Sequence, residues 1–257
     1  MAYIQKNYKY NENLTHEENI LLDRLFKFKL SHMAEALERQ FIDPNSELID
    51  FHTRITELIN YEWDLRQQSK FNKLLRKATL KYPHADFDEA IYEPDRMLDT
   101  RTIERLQTCT WIDEPKNLLI TGSAGAGKTH IANALCVVAL HQHRTVKYIR
   151  ASTLMNESEK ARLNNAAYDY INTMSAFDLL VIDDFGLMEL DMDKCRDLFE
   201  IIETRDCRKA TMIVSQLPVI KWWDLFVDNT YADACLSRMT SKAYRLECNG
   251  RDMRKSS

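Results

Sequence analysis

The 257 residues leave room for one α/β domain and a smaller appendage, since single domains run to about 100–200 residues. A hydrophobic fraction of 45% and a charged fraction of 29% exclude a disordered or fibrous chain, and a net charge of −4 excludes wholesale attraction to nucleic acid while leaving local patches open. No run approaches the roughly 18 uninterrupted apolar residues of a membrane helix, and the first ten residues lack the apolar core of a secretory signal. The six cysteines are scattered without close pairs, so a cytoplasmic protein with reduced thiols is expected.

From Glu17 to Tyr82 apolar residues recur at spacings of three and four, as in Leu21, Leu22, Leu25 and Phe28, and glycine is absent. This periodicity predicts an all-helical region, punctuated at Pro44-Asn45-Ser46 by a turn into a new helix. A looser connector with Pro83 and Pro94 follows, and the domain boundary is expected between Asp86 and Asp99, dividing a helical domain at 1–85 from a second domain at 86–257. Five apolar runs then read as strands: Asn117 to Thr121, Val146 to Ile149, Asp178 to Asp183, Thr211 to Ser215 and Ala243 to Glu247. Helical text separates them, which predicts a mainly parallel five-stranded sheet covered on both faces, with ligands bound at the carboxyl ends of the strands.

The first strand runs into Gly122-Ser123-Ala124-Gly125-Ala126-Gly127-Lys128-Thr129, followed by His130 and an apolar helix from Ile131 to Leu140. That is the spacing and the strand-to-helix context of a P-loop. Small residues let backbone N–H groups wrap a phosphate, and the helix start adds a favourable dipole. The whole stretch from Gly122 to His130 is therefore assigned to nucleotide binding, with Lys128 reaching the β- and γ-phosphates and Thr129 on magnesium. Three of the chain's five glycines lie in this loop, which argues against an ordinary turn with a fortuitous lysine. The third strand, Leu179-Leu180-Val181-Ile182, ends in Asp183-Asp184. Asp183 is assigned to the magnesium shell and Asp184 to orienting or polarising the attacking water, the plainer reading being an acidic helix cap. At the end of the fourth strand, either Ser215 or Gln216 is placed to contact the γ-phosphate or the water. ATP and Mg²⁺ are the expected cofactors.

These residues, together with Ser215-Gln216-Leu217-Pro218, Lys221-Trp222, Ala232-Asp233-Ala234, Ser237-Arg238-Met239 and Tyr244-Arg245-Leu246-Glu247, resemble the IstB-like ATP-binding helpers of insertion-sequence transposition, relatives of the helicase loader DnaC within the AAA+ ATPases. The resemblance spans most of the chain. It implies a P-loop AAA+ three-layer sandwich preceded by a small helical domain, and an ATPase of slow, DNA-stimulated turnover. It further implies a homo-oligomer on duplex DNA with ATP at subunit interfaces, delivering or activating the transposase of the same element. Arg238 matches the arginine that a neighbouring subunit supplies, with a surface salt bridge as its plainer role. Asp184 departs from the glutamate of many AAA+ proteins, and the end of the sequence soon after the fifth strand leaves no room for a helical lid, Arg254 being the one candidate for a second sensor. A helicase loader, and more distantly a P-loop phosphotransferase, are the rival functions.

Between Arg66 and Lys81 there is no acidic residue. At 100° per residue Arg66, Lys70, Lys73, Lys77 and Lys81 form one stripe, and Phe71, Leu74, Leu75 and Ala78 another. Such a helix would track phosphates without reading sequence, although most charged helix faces are simply solvated. Arg205, Arg208, Lys209 and the tail from Arg251 to Lys255 are weaker candidates.

Overall fold

The computed structural model describes residues 8–87 and 99–248, which fall into two compact units, one up to Asn72 and one from Lys73 onward. The first unit is helical. Helix α1 (His16–Lys27) starts at a capping box, Thr15 accepting from the Glu18 N–H while the Glu18 carboxylate accepts from Thr15, so two helix-terminal N–H groups are satisfied. Helix α2 (Ser31–Ile42) follows after a break that the periodicity does not reveal: Lys29 takes a left-handed φ of 62°, an uncommon state for a non-glycine residue. Pro44–Leu48 forms the expected turn, a 3₁₀ segment capped by Asp43, and helix α3 begins at Phe51 and runs to Ala78. Leu14, Leu22 and Ala34 form the small core, with Tyr8, Leu25, Phe26, Leu37 and Phe41 packed on it.

The division between the two units falls within α3, between Asn72 and Lys73, and not in the 86–99 connector. Residues 73–87 group with the second unit because they are tied to it: Ala78 and Ala85 are buried, the Thr79 hydroxyl donates to the Tyr148 carbonyl at 2.8 Å, and the Tyr82 N–H donates to Asn133 Oδ1 at 3.1 Å. Much of the connector expected to mark the boundary, residues 88–98, lies outside the described residues.

The second unit is a three-layer α/β domain. Its five strands, β1 (Leu118–Gly122), β2 (Val146–Arg150), β3 (Leu179–Phe185), β4 (Ala210–Ser215) and β5 (Tyr244–Cys248), lie in the order β2-β3-β4-β1-β5. All pairings are parallel, so each connection crosses over through helices. Each strand agrees with its sequence expectation to within a residue or two at each end. Helices α4 (Thr100–Gln107), α5 (Thr110–Asp113) and α6 (Lys128–His141) cover one face, and α7 (Ala151–Leu163), α8 (Ala167–Ala176), α9 (Met192–Arg205) and α10 (Asn229–Thr240) cover the other. Alternation along β3 serves both layers: Leu180 and Ile182 join the core beneath α7 to α10, while Leu179 and Val181, also fully buried, face the opposite way. No helix among the described residues is long and apolar enough to cross a membrane.

Candidate nucleotide site

Crossing from one strand to the next through a helix brings the carboxyl ends of β1, β3 and β4 side by side. A cavity of about 330 Å³ opens there, and it gathers most of the residues singled out by sequence: Gly125, Lys128, Thr129 and His130 from the P-loop, Asp183 and Asp184 from β3, and Ser215 and Gln216 from β4. Ala124 and Gly127 complete its floor. Gly122, Ser123 and Ala126 do not line it. Gly122 serves a different purpose, because with φ 143° any Cβ would sit 2.0 Å from the Cys248 carbonyl oxygen of β5. Ser123 contributes its carbonyl, and Ala126 is buried.

The loop geometry follows from its glycines. Gly125 and Gly127 take φ 80° and 82°, and Gly127 stands at the start of α6 with no side chain capping the first turn, so that turn's N–H groups face the cavity mouth as anion donors. Lys128 Nζ donates to the carbonyls of Gly122 (2.8 Å) and Ser123 (2.6 Å), which hold the ammonium over the loop. Thr129 Oγ1 donates to Asp183 Oδ2 at 3.0 Å. A cradle of amides with one ammonium fits a polyphosphate, and a hydroxyl beside a carboxylate, both hard oxygen donors, fits Mg²⁺.

At the end of β3 the pairing with β4 slips between Ile182 and Phe185, and Asp184 is forced to φ 56°. Such a bulge re-aims a side chain, and a non-glycine residue held there stores strain. Asp183 Oδ1 accepts the Asp184 N–H at 2.7 Å, and the Asp184 carboxylate lies 3.6 Å from Arg150 Nε. The Ser215 hydroxyl is already committed: it donates to the Phe185 carbonyl at 2.5 Å, accepts from the Leu217 N–H at 3.0 Å and is buried. Gln216 is exposed along the cavity wall. Trp222, fully buried, donates Nε1–H to the Leu217 carbonyl at 3.0 Å and packs edge-on against Phe185, locking the turn that carries Gln216.

Two groups escaped the sequence reading. Tyr148 on β2 donates its hydroxyl to Asp183 Oδ2, and burial first, then this hydrogen bond, pushes its phenol pKa up. Asn133, one turn into α6, donates to the Thr129 carbonyl at 2.7 Å and accepts from Tyr82, fixing Lys81 and Tyr82 as the outer wall. Neither lies in a motif; only the β2-β3 adjacency of the finished sheet points to Tyr148.

The structure corrects the expected placement of Lys81, Arg66, Arg205 and Lys209 and leaves the other basic candidates as they stood. Lys81 does not continue the basic stripe, because α3 ends at Ala78 and Thr79 turns left-handed at φ 55°; it borders the nucleotide cavity instead. Arg66 is engaged by Glu62 and by the Lys29 carbonyl. Lys70, Lys73 and Lys77 stay exposed and make no ion pair among the described residues. Arg205 cannot meet DNA: it is buried and donates to the carbonyls of Met174, Phe177 and Ala210. Lys209 pairs with Asp178 at 2.6 Å, while Arg208 is exposed. Arg238 stands outside the cavity, ion-paired with Glu203, donating to the Ala234 carbonyl and lying over the Phe199 ring. Arg254 and the tail from Arg251 to Lys255 lie outside the described residues.

The family described as IstB-like ATP binding protein matches residues 23–257. The chain belongs to the IstB-like ATP-binding proteins. Within its relatives, an insertion sequence ATP-binding protein of Sinorhizobium fredii is 34% identical over 234 residues, 91% of this chain and 95% of the relative. Another, the IS1162 ATP-binding protein of Pseudomonas fluorescens, is 33% identical over 197 residues, 77% of this chain and 85% of its own length. Among solved structures the fold is similar to the DnaC helicase loader (TM-score 0.51, 17% identity, 58% of this chain and 87% of that one) and to a DNA replication initiation factor (TM-score 0.55, 19% identity, 66% and 51%). These likenesses show the AAA+ P-loop fold for this IstB-like protein.

Proposed function

We propose that this IstB-like protein is a magnesium-dependent ATPase that assembles on duplex DNA and delivers or activates the transposase of its insertion element. The observation that carries the catalytic half is the convergence of Lys128, Thr129, Asp183 and Asp184 on one cavity. The P-loop amides and Lys128 would bind and orient the triphosphate, Thr129 and Asp183 would hold the cation, and Asp184, aimed by its bulge, would orient the water. A magnesium ion held there would supply charge neutralisation for the phosphates. Exposed Gln216 suits the γ-phosphate better than Ser215, whose hydroxyl is already engaged. The Asp184 carboxylate also faces Arg150 Nε, 3.6 Å away.

Support for the biological half comes from relatives named for insertion sequences at 33–34% identity. The helicase-loader alternative draws on fold likeness at 17% identity, a weaker warrant. In a homo-oligomer with ATP between subunits, Arg238 would leave Glu203 to reach a neighbour's phosphates, and exposed Lys70, Lys73 and Lys77 would meet the DNA backbone.

Phosphate release and nucleotide binding, measured with and without duplex DNA, test the reading. Asp184→Asn is expected to bind ATP while turnover falls about a hundredfold or more. Unchanged turnover would sink Asp184's role. Light scattering with ATP and DNA should detect assemblies that Arg238→Ala weakens, and monomers throughout would reject assembly on DNA.

A further inference from the structure

We infer that Tyr148 is a positioning residue for the magnesium site, holding the Asp183 carboxylate in the rotamer that meets the cation. The inference rests on the reading of Asp183 as the residue that anchors Mg²⁺. Three donors surround that carboxylate: Thr129 Oγ1 and the Tyr148 hydroxyl on Oδ2, and the Asp184 N–H on Oδ1. They differ in what a bound cation does to them. The Thr129 hydroxyl is itself a cation ligand in this scheme, so its oxygen turns to the metal. The Asp184 N–H belongs to the bulge and goes wherever the backbone goes. The tyrosine is the one side-chain donor whose bond to the carboxylate persists when nucleotide and metal bind.

Tyr148 is built for that task. It is 6% exposed on a strand paired directly with β3, in register with Val181, so its ring has no freedom to swing away. Its own carbonyl is fixed from outside by the Thr79 hydroxyl at 2.8 Å. Packing alone needs no hydroxyl at this position; a phenylalanine would fill the same space between β2 and α6. The hydroxyl bonds the Asp183 carboxylate and also meets the Asn133 side chain. Partners one step removed from a metal commonly set its affinity by orienting the group that touches it.

Tyr148→Phe removes the hydroxyl and keeps the ring. Calorimetric titration of ATP in EDTA, and again at rising MgCl₂, separates the two contributions to binding. For the variant, ATP affinity without magnesium is expected to match the wild type within about twofold, while the MgCl₂ concentration for half-maximal gain rises about tenfold. The melting temperature of the free protein is the control for packing. An unshifted magnesium curve overturns the inference, as does an equal loss of affinity with and without the metal. In the Asp183→Asn background the tyrosine change should add nothing to the magnesium curve; an additive effect would mean that Tyr148 does not act through Asp183. Should the wild-type protein itself gain no affinity from MgCl₂, Asp183's own role and this inference fall together, whereas a wild-type gain with an unchanged Tyr148→Phe curve removes this inference alone.

Discussion

At the amino-terminal edge of the sheet, Arg205, Asp178 and Asn117 are bonded to groups of the protein that no ligand displaces; at the carboxyl edge, Lys128 and Thr129 are bonded to groups that a nucleotide and its cation can take over. Arg205 gives hydrogen bonds to the carbonyls of Met174, Ser175, Phe177 and Ala210 and to Thr211 Oγ1 at 3.0 Å. Asp178 accepts from the Thr145 N–H (2.9 Å) and hydroxyl (2.7 Å) and from Lys209, tying the starts of β2, β3 and β4 together. Asn117 bridges β1 to the Thr211 N–H and to the last carbonyls of α10. At the opposite edge the backbone carries the strain of Asp184 at φ 56°, and the ammonium rests on loop carbonyls. Charge that is saturated by fixed acceptors builds the fold; charge held by exchangeable partners does chemistry.

The largest effect should come from breaking the saturated edge. Arg205→Met leaves buried carbonyls without donors and should destabilise by about 3–5 kcal/mol, read as a fall in denaturation midpoint with the slope unchanged. An exposed arginine would lose under about 1 kcal/mol, so a loss that small would refute the assignment. Next is the other edge: Lys128→Ala should weaken ATP binding by at least about a hundredfold, close to 3 kcal/mol, while the melting temperature of the free protein stays put. Stability and ligand affinity are thus expected to part company between the two edges.

Smaller, and dependent on pH, is Asp178. Burial raises the pKa of its carboxyl, but the bonds from Lys209 and Thr145 outweigh burial and hold it below the ordinary value. The folded chain therefore binds this proton less readily than the unfolded one, so the stabilisation is complete above about pH 4 and drains away as pH falls through the lower folded value. Asp178→Asn should cost about 1 kcal/mol at neutral pH and flatten part of the acid loss seen by thermal melting below about pH 4. Least disruptive is thiol labelling of the native protein: Cys207 is exposed, whereas burial pushes Cys109 up to about 11 and Cys235 up to about 12. One fast-reacting thiol of the six is expected, and a Cys207→Ser variant should show none.

The P-loop, the acidic end of β3 and all five strands were legible because each is a short-range pattern: a spacing of glycines, a run of apolar residues, a pair of carboxylates. The helical first unit was legible in kind, yet its break at Lys29 was not, since no glycine marks a left-handed residue held by its surroundings. Basic residues were the hardest to read. Arg66, Arg205, Lys209 and Arg238 looked like surface charge, and each is answered by a partner brought in by the fold, such as the Lys29 carbonyl for Arg66 or the Phe177 carbonyl from ahead of β3 for Arg205.

By itself, then, the chain's text determined that it would cradle a phosphate at the end of a parallel sheet, because backbone conformation and strand burial are set by neighbours a few residues away. Tertiary structure alone decided which oxygen of Asp183 Tyr148 grips, which serine is occupied and which arginines are buried. Those outcomes hang on strand order and register, which bring residues 35 positions apart into hydrogen-bond contact and leave no trace in local spacing.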